Sequence, residues 1–427
     1  LSTEISAETK TKNVLQMLGP GLVTGASDDD PSGIGTYSQV GAQFGMGLLW
    51  TIPFTYPLMC AVQEISARIG RVSGKGIAGN LRAYPRWLMY SIIFLLVIAN
   101  VINLGADIAA MGAAAKLLLG GPAILYAIAL TVVSVLLEVF ICYDRYAHVL
   151  KWLTLTIFAY VATAFVVQIP WGETLKQTFW PHVSLSADYL TALIAVFGTT
   201  ISPYLFFWQA SQEVEEITAH KGAQALKRTP KEAPAEFWRI RVDTVVGMFF
   251  SNIVAFFIIL TCAVTLHAHG ITSINTAAEA AEALRPVAGR FAFALFAGGI
   301  IGTGLLALPV LAGSAAYAVG EAMGWPIGLD KKAARAKGFY AVIAGAMLLG
   351  LALNFTSIDP IKALFWSAVI NGVTAVPVLV LMMLMANNAK IMGKKFTIPR
   401  ILRLLGWTTA AVMLAATIAM FATWHSG

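Results

Sequence analysis

A chain of 427 residues with 58% hydrophobic and only 12% charged residues is excluded from the ordinary soluble class, where about a quarter of residues carry charge. Its net charge of +7 does not point to nucleic acid, because no separate polar domain presents a basic face. Lysine and arginine gathered in the cytoplasmic loops of a membrane protein account for it.

Residues 1–13 are polar and read as a tail. No cleavable signal peptide is expected, since the apolar run that follows is itself the first span. Run length predicts eleven spans in one domain, at 14–45, 47–69, 88–117, 123–141, 146–168, 188–216, 242–266, 288–322, 337–354, 361–386 and 402–423. Spans one to five (14–168) and six to ten (188–386) would be two repeats, with 402–423 an additional helix. A cytoplasmic N-terminus places 24 of the 29 lysines and arginines on the cytoplasmic side. The expected orientation is therefore N-terminus inside and C-terminus outside. Cys60, Cys142 and Cys262 are scattered through apolar runs, which fits buried core cysteines and no disulfide framework or thiolate metal centre.

The first span is interrupted by Ser27-Asp28-Asp29-Asp30-Pro31-Ser32-Gly33. One aspartate at the centre of a membrane helix costs about 2.5–3.5 kcal/mol. Three are tolerable only where the broken backbone is buried in protein or lines a wet cavity. A second interruption, Ser202-Pro203, falls five spans later. Breaks at corresponding positions of two halves mark a midplane binding site between inverted repeats. Asp30-Pro31 and Ser202-Pro203 each read as an N-cap followed by proline at the first helical position. The half-helices before them end near Ser27 and Thr199, and their free carbonyls and negative dipole ends suit a cation.

The side chains near both breaks are Asp28, Asp29, Asp30, Ser32, Thr199, Thr200 and Ser202, and they offer only oxygen. Such a set suits Mg²⁺, Ca²⁺ and Mn²⁺ better than softer metals. All six histidines fall at predicted span ends or in loops. Asn103, Asp107 and Asn371 either line the pathway or bond between helices. Glu213, Glu215 and Glu216 read as the solvated end of span six. No HExxH pair, Gly-x-Ser-x-Gly elbow or phosphate loop occurs, so neither an enzyme nor a cofactor is expected.

Several stretches resemble the opening of the Nramp divalent-metal transporters: Gly19-Pro20-Gly21-Leu22, Asp30-Pro31-Ser32-Gly33-Ile34, Gly41-Ala42-Gln43-Phe44-Gly45 and Leu48-Leu49-Trp50. Gln63 to Gly70 and Val72-Ser73-Gly74-Lys75 resemble that family's second helix and following loop. The resemblance implies an all-α polytopic membrane protein of the leucine-transporter (APC superfamily) fold, a five-plus-five inverted repeat with one extra helix. It also implies alternating access and a metal site between spans one and six. Asp30 matches the family's metal-binding aspartate, and Asp107 an aspartate on its proton route. Gly33 stands in place of an asparagine, and Ser202-Pro203-Tyr204 in place of Met-Pro-His. Tyr204 and Gln209 occupy positions where the family usually has histidine, and Ala110 replaces an expected glutamate. These departures resemble the Nramp-related magnesium transporters.

The expected function is uniport of a hard divalent cation, Mg²⁺ first and Mn²⁺ second, across the plasma membrane without proton coupling. Asp30 would supply the central charge, and Asp28 and Asp29 would attract the hydrated ion. The Thr199 carbonyl and Ser202 would complete the shell beside Gly33, with Tyr204, Gln209, Asp107 and Asn371 along the pathway. The expected partners are the metal ion and the lipid bilayer, with no nucleic acid, and the expected state is a monomer. An ordinary proton-coupled Mn²⁺/Fe²⁺ importer and a cation channel are the alternatives.

Overall fold

A computed structural model describes residues 19–141, 155–219, 222–356 and 359–424. The 1–13 tail, the beginnings of the first and fifth predicted spans, Cys142, His148, His220 and His425 lie outside these residues. Among the described residues every regular element is helical. The first interrupted span gives α1 (Pro20–Asp28) and α2 (Pro31–Phe44), followed by α3 (Thr51–Ser73), α4 (Arg86–Leu119), α5 (Ala123–Phe140) and α6 (Phe158–Val166). The second gives α7 (Ala187–Thr200) and α8 (Pro203–Ala219), followed by α9 (Ala233–Thr265), α10 (Ala292–Met323), α11 (Lys337–Leu353), α12 (Pro360–Asn387) and α13 (Arg400–Trp424).

Seven helical stretches among the described residues are long and apolar enough to cross a bilayer: α4, α5, α7 with α8, the stretch containing α9, α10, α12 and α13. The other four expected spans each miss that measure for a visible reason. The α1–α2 pair is cut by its break, α11 is short, and only the second part of the fifth span, with α6, falls among the described residues. Helix α3 is long enough, but it carries Gln63, Glu64, Arg68 and Arg71 in its second half.

Packing around the breaks depends on glycine. A Cβ at Gly25 would overlap the Gly247 backbone, and one at Gly247 would overlap Gly21, so α1 and α9 meet backbone to backbone. Gly198 of α7 lies in the same way against Ala368 and Gly372 of α12, and Gly70 of α3 against Ala210 of α8. Lipid gives apolar helices no hydrophobic reason to associate, so close van der Waals approach through small residues has to hold them. Cys60 and Cys262 are buried and free, as expected.

One end of the bundle carries a charge lattice. Arg68 pairs with Glu64 at 2.6 Å, Arg241 with Glu64 at 3.3 Å, Arg71 with Glu236 at 3.1 Å and Arg239 with Glu236 at 3.0 Å. The reading of Glu213 and Glu215 as a solvated helix end is corrected here. Glu213 is fully buried and paired with Arg239 at 2.5 Å, while Glu215 accepts hydrogen bonds from the Tyr317 hydroxyl and the Leu329 amide. Desolvated carboxylates need partners, and here α9, α10 and the loop after α10 supply them.

Candidate metal-binding site

Helix α1 stops at Asp28 because Asp29 (φ −84°, ψ 49°) and Asp30 (φ −70°, ψ 171°) leave helical geometry, and Pro31 restarts the chain as α2. Asp30 caps α2 as the sequence predicts, its Oδ1 accepting from the Gly33 amide at 2.7 Å. The Ser32 amide donates instead to Asp107 Oδ1 on α4, at 3.1 Å. Two carboxylates therefore share the positive end of one helix, which stabilises their negative charge.

The second oxygen of Asp30 accepts from Asn103 Nδ2 of α4 at 3.2 Å and lies 3.1 Å from the Tyr204 hydroxyl of α8. The same hydroxyl is 3.3 Å from the Ser27 carbonyl, and its single proton can serve one acceptor at a time. Asp30, Asn103, Asp107 and Tyr204 are all buried.

The two breaks touch. A Cβ at Gly33 would lie 3.1 Å from the Thr199 methyl and 3.2 Å from the Asp28 carbonyl oxygen. The room that glycine leaves is thus already lined by Thr199. Ser202 corrects the sequence reading. Its single hydroxyl proton points backward, with the carbonyls of Gly198 (2.6 Å) and Thr199 (2.9 Å) both in reach, closing α7 rather than capping α8.

Asp28 and Asp29 share a partner on α9. The Ser251 hydroxyl of α9 lies 2.5 Å from Asp28 Oδ2 and 3.3 Å from Asp29 Oδ1. Accordingly, no three His, Cys, Asp or Glu side chains converge as a metal-holding group among the described residues. Gln209 accepts from Thr24 at 2.5 Å, tying α8 to α1. Asn371 is buried on α12 with its side-chain oxygen unpaired, and no contact joins it to Asp30.

Sequence reasoning weighed Asn103 only as an even choice between pathway and interhelical bond. Its spacing of one helical turn from Asp107 puts both on one face of α4, and that was the available signal. Ser251 gave none, being one hydroxyl in an apolar helix. Asp243 of α9 was also missed. Its carboxylate accepts from the amides of Gly19 (2.8 Å), Gly21 (2.7 Å) and Leu22 (3.0 Å), capping α1 from another part of the chain.

Two broken helices that abut around buried carboxylates are the arrangement with which membrane transporters built from inverted repeats bind an ion or substrate. The family model described as natural resistance-associated macrophage protein-like matches residues 21–423, so the chain belongs to the Nramp family.

Among its curated relatives is a protein of Klebsiella pneumoniae named divalent metal cation transporter MntH. It is 25% identical over 422 residues, covering 96% of this chain and 94% of the relative. The protein of the same name from Pectobacterium carotovorum is 23% identical over 400 residues, covering 91% and 90%. Among solved structures, the Eremococcus coleocola manganese transporter bound to an aromatic bis-isothiourea compound superposes with a TM-score of 0.73. The identity is 17%, over 96% of this chain and 87% of that one. That likeness establishes the shared fold.

Proposed function

We propose that this protein carries a hard divalent cation, Mg²⁺ ahead of Mn²⁺, by alternating access and without proton coupling. The charge lattice would face the cytoplasm in an eleven-span arrangement. The single observation that carries the reading is the donor chemistry around Asp30. Asp30 is bonded by a backbone amide of α2, the Asn103 side-chain amide of α4 and the Tyr204 phenol of α8, the same phenol lying against the Ser27 carbonyl, and none of these partners is a thioether, thiolate or imidazole. Oxygen-only sets favour Mg²⁺ and Mn²⁺ over softer ions, and Mg²⁺ binds through one or two carboxylates while keeping several waters.

In this mechanism Asp30 contacts the ion or its waters. Asn103 and Tyr204 hold the carboxylate in place, and Asp107 supplies a second negative charge at the start of α2. The Thr199 carbonyl presents oxygen from the opposite break. An inside-negative potential of 100 mV gives a divalent ion about 4.6 kcal/mol, enough to drive uptake without a second ion.

The rival reading, a proton-coupled Mn²⁺ or Fe²⁺ importer, draws on two observations. The curated relatives carry the name of divalent metal cation transporters, and Asp107 Oδ2 is buried without a hydrogen-bond partner, where a proton could reside.

Isothermal titration of Mg²⁺ and Mn²⁺ into wild type and Asp30→Ala tests the site. The expected result is binding that disappears in the variant. Proteoliposomes containing a pH dye then separate the readings. Metal uptake with no internal acidification supports uniport, and acidification that tracks uptake supports the rival.

A further inference from the structure

On the same end of the bundle as the charge lattice, two cavities share Arg82. One, of about 460 Å³, is lined by Arg82, Tyr84, Arg86 and Tyr90. The other, of about 340 Å³, adds Lys75, Lys227 and Lys390. Five cations therefore line two hollows that adjoin at Arg82, contributed by the α3–α4 connection, the start of α4, the segment before α9 and the short helix after α12.

Glu321 offsets one of these five positive charges, through its interaction with Arg82 and Lys75, and the lining stays net positive. Its carboxylate on α10 is fixed in place by the amides of Gly76 (2.6 Å) and Gly79 (2.8 Å). Two of the cations are held in place by backbone. Arg82 donates to the Ala322 carbonyl at 2.9 Å and Lys227 Nζ to the Lys390 carbonyl at 2.9 Å. A guanidinium has five donors, and one contact with Ala322 leaves others directed at the cavities.

Topology alone asks for positive charge on this side, but it does not ask for a cavity. The aromatic residues indicate depth. Trp87 is 70% exposed and Tyr90 46% exposed at the first turn of α4, as in the belts that sit at headgroup level. A basic hollow at that level matches a phosphodiester better than a dissolved anion, and basic pockets between membrane helices recognise anionic headgroups.

We propose that these adjoining hollows, with Arg82 between them, bind the headgroup phosphate of an anionic phospholipid from the adjoining leaflet. The lipid bridges the α3–α4 connection to the segments carrying Lys227 and Lys390.

The full chain, purified with a defined equimolar mixture of phosphatidylglycerol and phosphatidylcholine, is examined by native mass spectrometry for retained lipid. Wild type is expected to retain phosphatidylglycerol preferentially. Arg86→Ala should lower that preference about fivefold, and a further Lys390→Ala by about fivefold again, while Arg86→Lys keeps it. Neither Arg86 nor Lys390 takes part in the metal site, so Mg²⁺ or Mn²⁺ binding should be unchanged in these variants and reports that they are folded. Equal retention of both lipids overturns the proposal, as does preference that persists in the double variant. Inorganic pyrophosphate, added in a parallel arm, overturns it if it binds these hollows while phosphatidylglycerol does not.

Discussion

Asp30 and Asp107 divide the opening amides of a single helix between them: Asp30 takes the Gly33 amide at 2.7 Å and Asp107 the Ser32 amide at 3.1 Å. Asp107 is thus a structural cap from α4 as well as a charge beside the site. These two roles separate by substitution. Asp107→Ala leaves the Ser32 amide buried and unsatisfied, which costs about 1–3 kcal/mol, so a lower thermal midpoint is expected along with weaker metal binding. Asp107→Asn keeps an oxygen acceptor and loses the charge. Its midpoint should stay near wild type while calorimetric Mg²⁺ affinity falls. If both variants lose stability equally, the capping assignment is wrong.

Asn103 and Tyr204 reach Asp30 from different helices, at 3.2 and 3.1 Å on the same oxygen. Groups that orient a ligand typically matter by roughly 10–100-fold in metal affinity. Tyr204→Phe and Asn103→Ala should each weaken Mg²⁺ and Mn²⁺ binding within that range. Tyr204→Phe preserves the buried ring, so a drop in affinity without loss of melting temperature distinguishes orientation from packing. An unchanged affinity in both variants would place the ion elsewhere.

Much of this arrangement was legible in the sequence, for an identifiable reason. Asp30-Pro31 combines a capping carboxylate with a residue favoured at the first helical position, and both preferences act locally. The break at 202–203 was visible through the same proline logic, but the direction of the Ser202 hydroxyl was not. Serine can bond backward to carbonyls three and four residues earlier as readily as it caps, and only the position of α7 decides. Asp28 and Asp29 illustrate a different limit. Successive residues in unwound backbone point in different directions, so three adjacent carboxylates could not be assigned to one face until Ser251 was placed against two of them. Asp243 lies more than 200 residues from the amides that it caps, and no local pattern records such a partner.

Restoring a thioether at the second break tests the softness argument. In Ser202→Met the hydroxyl's hydrogen bond to the Gly198 and Thr199 carbonyls is lost, and a sulfur enters beside oxygen donors. Selectivity should move toward Mn²⁺ or Cd²⁺ relative to Mg²⁺, by an amount of order tenfold if the sulfur contributes about 1.4 kcal/mol. Competition of Mg²⁺ against Cd²⁺ in proteoliposome uptake measures this ratio directly. A ratio unchanged from wild type would mean that position 202 does not face the ion.

The cap on α1 bears on how the transporter opens. Helix α1 has nine residues, too few to be stable alone in water, and its own N-cap is Gly19, which supplies no side-chain bond. What holds its start is Asp243, through three amides, together with the backbone contact between Gly21, Gly25 and Gly247. Hydrogen bonds to a charged acceptor contribute about 1.5–3 kcal/mol each. Asp243→Ala should therefore loosen α1 selectively. Deuterium exchange at the amides of Gly21 and Leu22 is expected to quicken by at least about tenfold, the equivalent of 1.4 kcal/mol, with little change in α12. A cysteine at Thr24, whose native side chain is buried against Gln209, should become more reactive toward a water-soluble maleimide in the Asp243→Ala background. Asp243→Asn retains acceptor capacity without charge and should fall between the two. If α1 exchange and Thr24→Cys reactivity both match the parent protein, the glycine contacts alone hold α1, and the carboxylate is dispensable for fixing this helix.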